Sequence, residues 1–428
     1  MTDPTTFGGD YRHRIVDDEL DELFPQLAAI VLDGPKGVGK TTTAIQRCKS
    51  VRRLSRKSER TIIEADPMVI ADDEPPLLID EWQLVPEVWD TVRDLIDQEL
   101  APGRFILTGS APIKGTHSGA ARMTSIRVRP LTLPERGICR PTVSLRTILE
   151  GRSPQLAGRS SLTLTKYVDE IISGGFPGMR HLVGRAHTAQ MNGYLERIVD
   201  HDLAEAGFTV RRPAAVKAWL AAYAAATGTT ASWERIRDAA TAGYDTKPAK
   251  ETTVGYVELL TALRILDPIE AWIPSSNHFS RLGSAPKHHL ADPALAVRLL
   301  KRTRDQLLKG SEGPIRVPGD GTLLGGLFES LVALSVRTFA QAAGAEVFHV
   351  REHGGAHEVD LIVESQKGVL GIEVKLAGVV DDKDVRHLAW LKDRIGDRLI
   401  DSMVITTGPQ AYRRSDGVAV VPLALLGA

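Results

Sequence analysis

The nine residues GPKGVGKTT, 34–42, follow the apolar run LAAIVLD and precede a helical pattern, and their reading decides the N-terminal fold. They fit G-x-x-x-x-G-K-[ST]. Gly34, Gly39, Lys40 and Thr41 stand in the defining places, and Pro35, Lys36, Gly37, Val38 and Thr42 complete the loop. Glycines permit a tight turn whose backbone N–H groups face phosphate oxygens. The lysine reaches the β/γ-phosphates, and the threonine hydroxyl ligates Mg2+. A strand before and a helix after is the context this chemistry requires. The expected ligands are ATP and Mg2+.

Downstream, LAAIVLD, TIIEAD, PLLID and RFILTGS read as strands, and TTTAIQRCKSVRRL and VWDTVRDLIDQEL as helices. That alternation predicts an α/β fold with a parallel sheet. PLLIDEWQLVPE ends a buried run in Asp80 and Glu81. Asp80 is expected near Mg2+, and Glu81 near the attacking water, as phosphoryl transfer requires. RFILTGS ends a third strand in Thr108 and Ser110, polar groups suited to the γ-phosphate or the water. Arg122, in HSGAARMTS, is a candidate charge-stabilising arginine, with a solvated surface arginine as the alternative.

A second constellation lies near the other end, in HEVDLIVESQKGVLGIEVK, 357–375. Two apolar stretches flank SQKG and read as a β-hairpin. A turn symmetric about Gln366 and Lys367 sets Asp360 opposite Glu373, with Lys375 on the same strand face as Glu373. Two carboxylates and a lysine then converge, and carboxylates are natural ligands for Mg2+ or Mn2+. A surface salt-bridged hairpin is the plain alternative.

The totals bound the rest. A chain of 428 residues exceeds one ordinary core, so two to four domains are expected. The formal net charge of −1 gives no global pull toward nucleic acid or acidic lipid, so such binding would need a local patch. RCKSVRRLSRKSER, 47–60, is basic but reads equally as a solvated face. Cys48 and Cys139 match no metal spacing, and the three histidines of HFSRLGSAPKHHL read as loop and strand residues. No apolar leader or membrane span is visible, and a cytoplasmic protein without membrane contact is expected.

RIVDDEL, GPKGVGKTT, LLIDEWQLVPE, FILTGSAP, RVRPLTLPE, GGFPG and YLERIVDHDL occur in an order that resembles prokaryotic AAA+ superfamily ATPases. The resemblance implies an ATPase core over 1–145, a helical lid over 146–212 and a winged-helix-like segment over 213–309. A C-terminal domain over 310–428 would follow. It also implies that Asp80 and Glu81 form the acidic pair and that Thr108 or Ser110 is the sensor. The D-x12-E-x-K spacing of Asp360, Glu373 and Lys375 resembles the PD-(D/E)XK, restriction-endonuclease-like superfamily. There Glu329, in LFESL, would add a metal ligand. A retained nuclease fold without cleavage activity is the companion expectation. A winged helix would present Thr252, Thr253 and Tyr256 near its second helix, with DNA or protein as partner. A homo-oligomer remains open at this level.

Overall fold

Five short strands lie parallel around the run that precedes the phosphate-loop motif. The computed structural model describes residues 11–109, 122–152, 156–205, 212–241, 249–273, 285–310, 322–352 and 354–428. These divide into two compact units, and residues 11–33, 39–109 and 122–127 make the first.

Its elements are α1 (Ile15–Leu23), β1 (Ala29–Asp33), α2 (Lys40–Ile45), β2 (Ser50–Arg53) and α3 (Lys57–Ala65). They continue with β3 (Leu77–Asp80), α4 (Glu87–Gln98), β4 (Phe105–Thr108) and β5 (Met123–Arg127). The strand order is β2-β3-β4-β1-β5, all parallel. Every residue of β3 and β4 is buried, as expected of parallel strands covered on both faces. β4 therefore sits between the strand feeding the phosphate loop and the strand ending in Asp80.

Two expected elements differ. The basic run does not continue the helix: Ser50–Arg53 pairs with Leu77–Asp80 as an edge strand, because ladder bonds outweigh its helical tendency. TIIEAD is not a strand but the end of α3. Ile63 is buried while its neighbour Ile62 is half exposed, as on a one-sided surface helix. The basic side chains of 47–60 are largely paired: Arg47 with Asp17 and Asp21, Lys49 with Glu74, Arg52 with Asp73, Arg56 with Glu59. That matches the solvated-face reading.

The second unit holds residues 34–38 and the described residues from 128 onward. It contains β6 (Val143–Ser144), α5 (Leu145–Leu149), α6 (Leu164–Ser173), α7 (Gly184–Arg197) and α8 (Leu203–Glu205). Then come α9 (Pro213–Ala225), α10 (Trp233–Ala240), α11 (Lys250–Ala262), α12 (Pro293–Leu299) and α13 (Arg304–Leu308). GGFPG breaks α6 from α7, as its sequence suggests. A fully buried Arg136 ties this region together. Its guanidinium donates to the Leu131 and Glu170 carbonyls, both at 2.9 Å, and pairs with the Glu170 carboxylate at 3.2 Å. It also lies 4.0 Å from Asp292, whose carboxylate accepts from Gly175 N and Ala294 N.

The segment ILDPIEAWI forms no hairpin of its own. Leu266 bridges Leu290, Ile269 bridges Lys287, and Ala271 bridges His349. Pro268 lacks the N–H a tight ladder would use, so the run pairs outward. Thr253 and Tyr256 are buried, the latter edge-on to Trp219, and neither is presented as on a DNA-reading helix. The connection at 242–248 and most of the expected linker, 311–321, lie outside the described residues.

The chain closes with α14 (Leu323–Ala342), β7 (Glu346–Arg351), β8 (Glu358–Ser365), β9 (Gly368–Lys375) and α15 (Asp382–Ile395). β10 (Leu399–Thr406), β11 (Tyr412–Arg413), β12 (Ala419–Pro422) and β13 (Leu426–Gly427) follow. α14 is long and apolar enough to cross a membrane, yet 67% of its apolar window is buried, so it serves as a core helix. The mixed sheet runs β11-β12-β10-β9-β8-β7, antiparallel at β7-β8-β9 and parallel at β9-β10-β12. Leu388 and Leu391 of α15 cover it, packing on Ile362 and Val369.

Candidate functional site

The phosphate loop is built from close approach and backbone conformation. A Cβ on Gly34 would sit 2.2 Å from the Val128 carbonyl oxygen, so only glycine fits. Gly39 has φ 99°, a left-handed conformation that costs a side-chain-bearing residue energy. Val38 is buried and Gly37 exposed. Pro35 is buried, and its carbonyl accepts from Val38 N. The Lys36 ammonium pairs with Asp202 at 3.3 Å and Glu205 at 3.8 Å, and Tyr194 donates to the Lys36 carbonyl. Thr42 is exposed, with its carbonyl accepting from Gln46.

Asp80 is the meeting point of the three strand ends. Its Oδ1 accepts from the Thr41 hydroxyl at 2.7 Å and the Thr108 hydroxyl at 2.6 Å. Register explains this: Asp80 pairs with Thr108, which pairs in turn with Leu32 just before the loop. Hard oxygens from Thr41 and Asp80 on one point form a donor set suited to Mg2+. Lys40 is 7% exposed. Burial draws its ammonium down to about 8, an effect partly offset by Glu81 and Asp33 and reinforced by Arg127. A buried lysine of this kind is completed by an anionic ligand. Glu81 has φ 58° and accepts from Gln83 Nε2, so its carboxylate direction is fixed by its neighbour. Ser110, the other expected sensor, lies outside the described residues.

Arg122 is not part of this arrangement. It precedes β5, whose first residue Met123 pairs with Ala29 at the end of β1 away from the loop, and it pairs with Asp97 near the surface. The parallel register instead brings Arg127 beside Asp33 at the loop end, with Nη1 3.3 Å from the Asp33 carboxylate. Arg127 is the arginine that sequence reading missed. Counting residues along β5 from its pairing with β1 would have identified it, but that pairing is not local.

Two expectations follow from the geometry. Thr108→Val removes one of two hydroxyls from Asp80, and a hydrogen bond to a charged group contributes roughly 1.5–3 kcal/mol. Steady-state ATP hydrolysis should fall roughly tenfold to a hundredfold while nucleotide affinity changes little. For pH, Lys40 is charged below about 8 and must take up a proton to hold phosphate above it. Nucleotide affinity should therefore be flat up to about pH 8 and decline beyond it, approaching roughly tenfold per unit. Fluorescent-nucleotide titrations at pH 7, 8 and 9 read this directly.

At the C-terminal hairpin the register is the one a symmetric turn dictates, from Ser365 opposite Gly368 to Leu361 opposite Ile372. The ladder stops there. Asp360 Oδ2 instead accepts from Val374 N at 2.8 Å. Glu373 is buried and pairs with Lys375 at 2.8 Å, and its Oε1 has no hydrogen-bond partner among the described residues. Burial and Asp360 push the Glu373 carboxyl well above its ordinary value. Burial works against the Asp360 carboxylate, yet Lys287 and Lys375 hold it below its usual range.

The expected divalent cation at Glu329, Asp360 and Glu373 does not fit these residues. Lys287 is fully buried, and its Nζ lies 2.8 Å from Asp360 Oδ1, 2.9 Å from Glu329 Oε1 and 3.1 Å from Glu358 Oε1. An ammonium already stands where three carboxylates converge. Among the described residues no group of three His, Cys, Asp or Glu is arranged to hold a metal. Burial raises Glu329 to about 8 despite Lys287, so at neutral pH it carries its proton and accepts from the ammonium. Lys287 sits within APKHHL, a segment whose sequence suggests only loop and strand.

Residues 26–136 match a family described as an AAA domain. Residues 164–306 and 324–426 match two domains of unknown function, DUF8612 and DUF4143. Uncharacterized proteins of Mycobacterium bovis and Mycobacterium tuberculosis are each 27% identical over 405 residues, covering 92% of this chain and 79% of theirs. Among solved structures, a Walker-type ATPase of Pyrococcus abyssi is 15% identical, covering 68% of this chain and 96% of its own (TM-score 0.40). The Aeropyrum pernix ORC1 protein, solved in complex with DNA, is 14% identical over 70% of this chain and 94% of its own (TM-score 0.24). The family match over 26–136, set beside the convergence of Thr41, Asp80 and Thr108, supports a P-loop ATPase domain in this chain.

Proposed function

We propose that the chain is an ATP-hydrolysing switch whose C-terminal fold holds a partner rather than cutting one. The observation carrying the first half is the double hydroxyl contact to Asp80 beside a buried Lys40. Lys40 and the loop from Gly34 to Thr42 bind the phosphates, Thr41 and Asp80 hold Mg2+, and Glu81 orients the attacking water. Bound Mg2+ neutralises phosphate charge as the terminal bond breaks. Thr108 keeps Asp80 aligned between the two strands, and Arg127 adds positive charge at the loop end.

The second half departs from an active DNA nuclease because of Lys287. We read the C-terminal domain as restriction-endonuclease-like in fold, supported by its carboxylate hairpin, but as a binding module in use. The ion-paired state of the basic segment 47–60 and the burial of Thr253 and Tyr256 weigh toward a protein partner over DNA. ATP hydrolysis should be measured with and without linear and branched DNA, with Lys40→Ala as the blank. Rates indifferent to DNA support the protein-gating reading; several-fold stimulation overturns it and restores DNA as the partner.

A further inference from the structure

The carboxylate cluster of the C-terminal sheet has an occupant supplied by the chain itself. Lys287 is anchored on both sides of its backbone: its N–H donates to the Ile269 carbonyl at 2.8 Å and its carbonyl accepts from Ile269 N at 2.9 Å. The next residue is fixed as well, since His288 N donates to the Thr229 carbonyl. The ammonium is therefore delivered by a braced extended segment, not by a loose surface arm. Its three oxygens come from three elements: Glu329 from α14, Glu358 and Asp360 from β8. Glu358 is held from its other side by Arg351 at 2.9 Å. Each oxygen lies within 3.1 Å of one point, a coordination-like convergence. Divalent ions would draw the same oxygens to roughly 2.0–2.6 Å.

We propose that Lys287 is a permanent internal cation that takes the place of a divalent metal in this cluster, so that the domain keeps its charge balance without metal. An ammonium satisfies carboxylates through its three N–H donors, but it offers no open coordination position for a water. The cluster thus serves assembly of the fold and supplies no activated nucleophile. The claim about charge stands on the Lys287 distances alone. Only its bearing on cleavage rests on the nuclease-like reading given above.

The test is a Mn2+ titration of the nucleotide-free full chain, followed by electron paramagnetic resonance of free Mn2+. Wild type should show no Mn2+ site that is lost on Asp360→Asn. Lys287→Ala should gain a site at least tenfold tighter than any in wild type, and adding Asp360→Asn to it should abolish the gain. A wild-type site sensitive to Asp360→Asn overturns the proposal, as does a folded Lys287→Ala protein that gains nothing. Should Lys287→Ala fail to fold, Lys287→Ala combined with Glu358→Gln removes one of the stranded charges, and the same two outcomes decide. ATP hydrolysis in the same samples reports separately on the ATPase reading.

Discussion

Lys40→Ala should abolish ATP hydrolysis, by roughly 10²–10³-fold or more, without unfolding the protein. Loss of a preorganised charge aimed at developing negative charge has effects of this order. The side chain is buried, its ammonium is drawn down to about 8 by that burial, and Glu81, Asp33 and Asp80 are the acids around it. Removing it relieves desolvation in the nucleotide-free protein, so thermal stability should hold or rise slightly. Nucleotide affinity should fall with the rate, because the charge acts on ground-state and transition-state phosphates alike. A variant that still hydrolyses ATP within tenfold of wild type would mean that the loop binds phosphate by other means, and the ATPase assignment would fail.

The second large effect is on stability. Arg136→Leu strands Asp292 without a cation while Glu170 keeps Arg180 and Lys166. Breaking a buried pair from one side costs about 3–5 kcal/mol. For a unit of this size that corresponds to a melting point lower by about 10 °C. Burial already raises the Asp292 carboxyl with Arg136 present, and loss of Arg136 raises it further. A carboxyl whose folded value exceeds its unfolded value binds protons in the native state, so stability falls as pH rises above the ordinary carboxylate range. The deficit of Arg136→Leu should be larger at pH 8 than at pH 5. An unchanged melting point at pH 8 would show that Arg136 is compensated by groups other than those named.

What the sequence disclosed follows from how local each feature is. The phosphate loop spans nine residues, and its glycines report conformation directly. Asp80 and Thr108 were legible because each ends a short apolar run, although their meeting depends on the strand pairing. The hairpin register followed from four turn residues. Arg122 was the wrong arginine because choosing between it and Arg127 requires knowing which end of β5 adjoins the loop. TIIEAD was misread because adjacent isoleucines suit a buried strand and a surface helix equally, and only one of them is buried. Lys287 was invisible for a different reason: it lies 73 positions from Asp360, and no local pattern ties a lysine among histidines to carboxylates downstream. The motifs RVRPLTLPE and GGFPG gave no hint of chemistry, and they meet around Arg136, where Gly175 N reaches Asp292.

The position of Lys287 bears on how this chain can be divided. Residues 311–321 are the obvious place to cut it, yet the ammonium lies upstream of that cut and its carboxylates downstream. The bridge from Ala271 to His349 crosses it too. A fragment beginning at residue 322 would carry Glu329, Glu358, Asp360 and Glu373 with Lys375 and Arg351 but without its central cation. Such a piece is not a cassette that recombination can transplant intact: its charge complement is encoded elsewhere, and any host lacking a matching lysine would inherit a hole with the wrong sign. Inheritance of the two regions as one block is the expected result, and fusions that graft the last domain alone should express as insoluble or metal-scavenging protein.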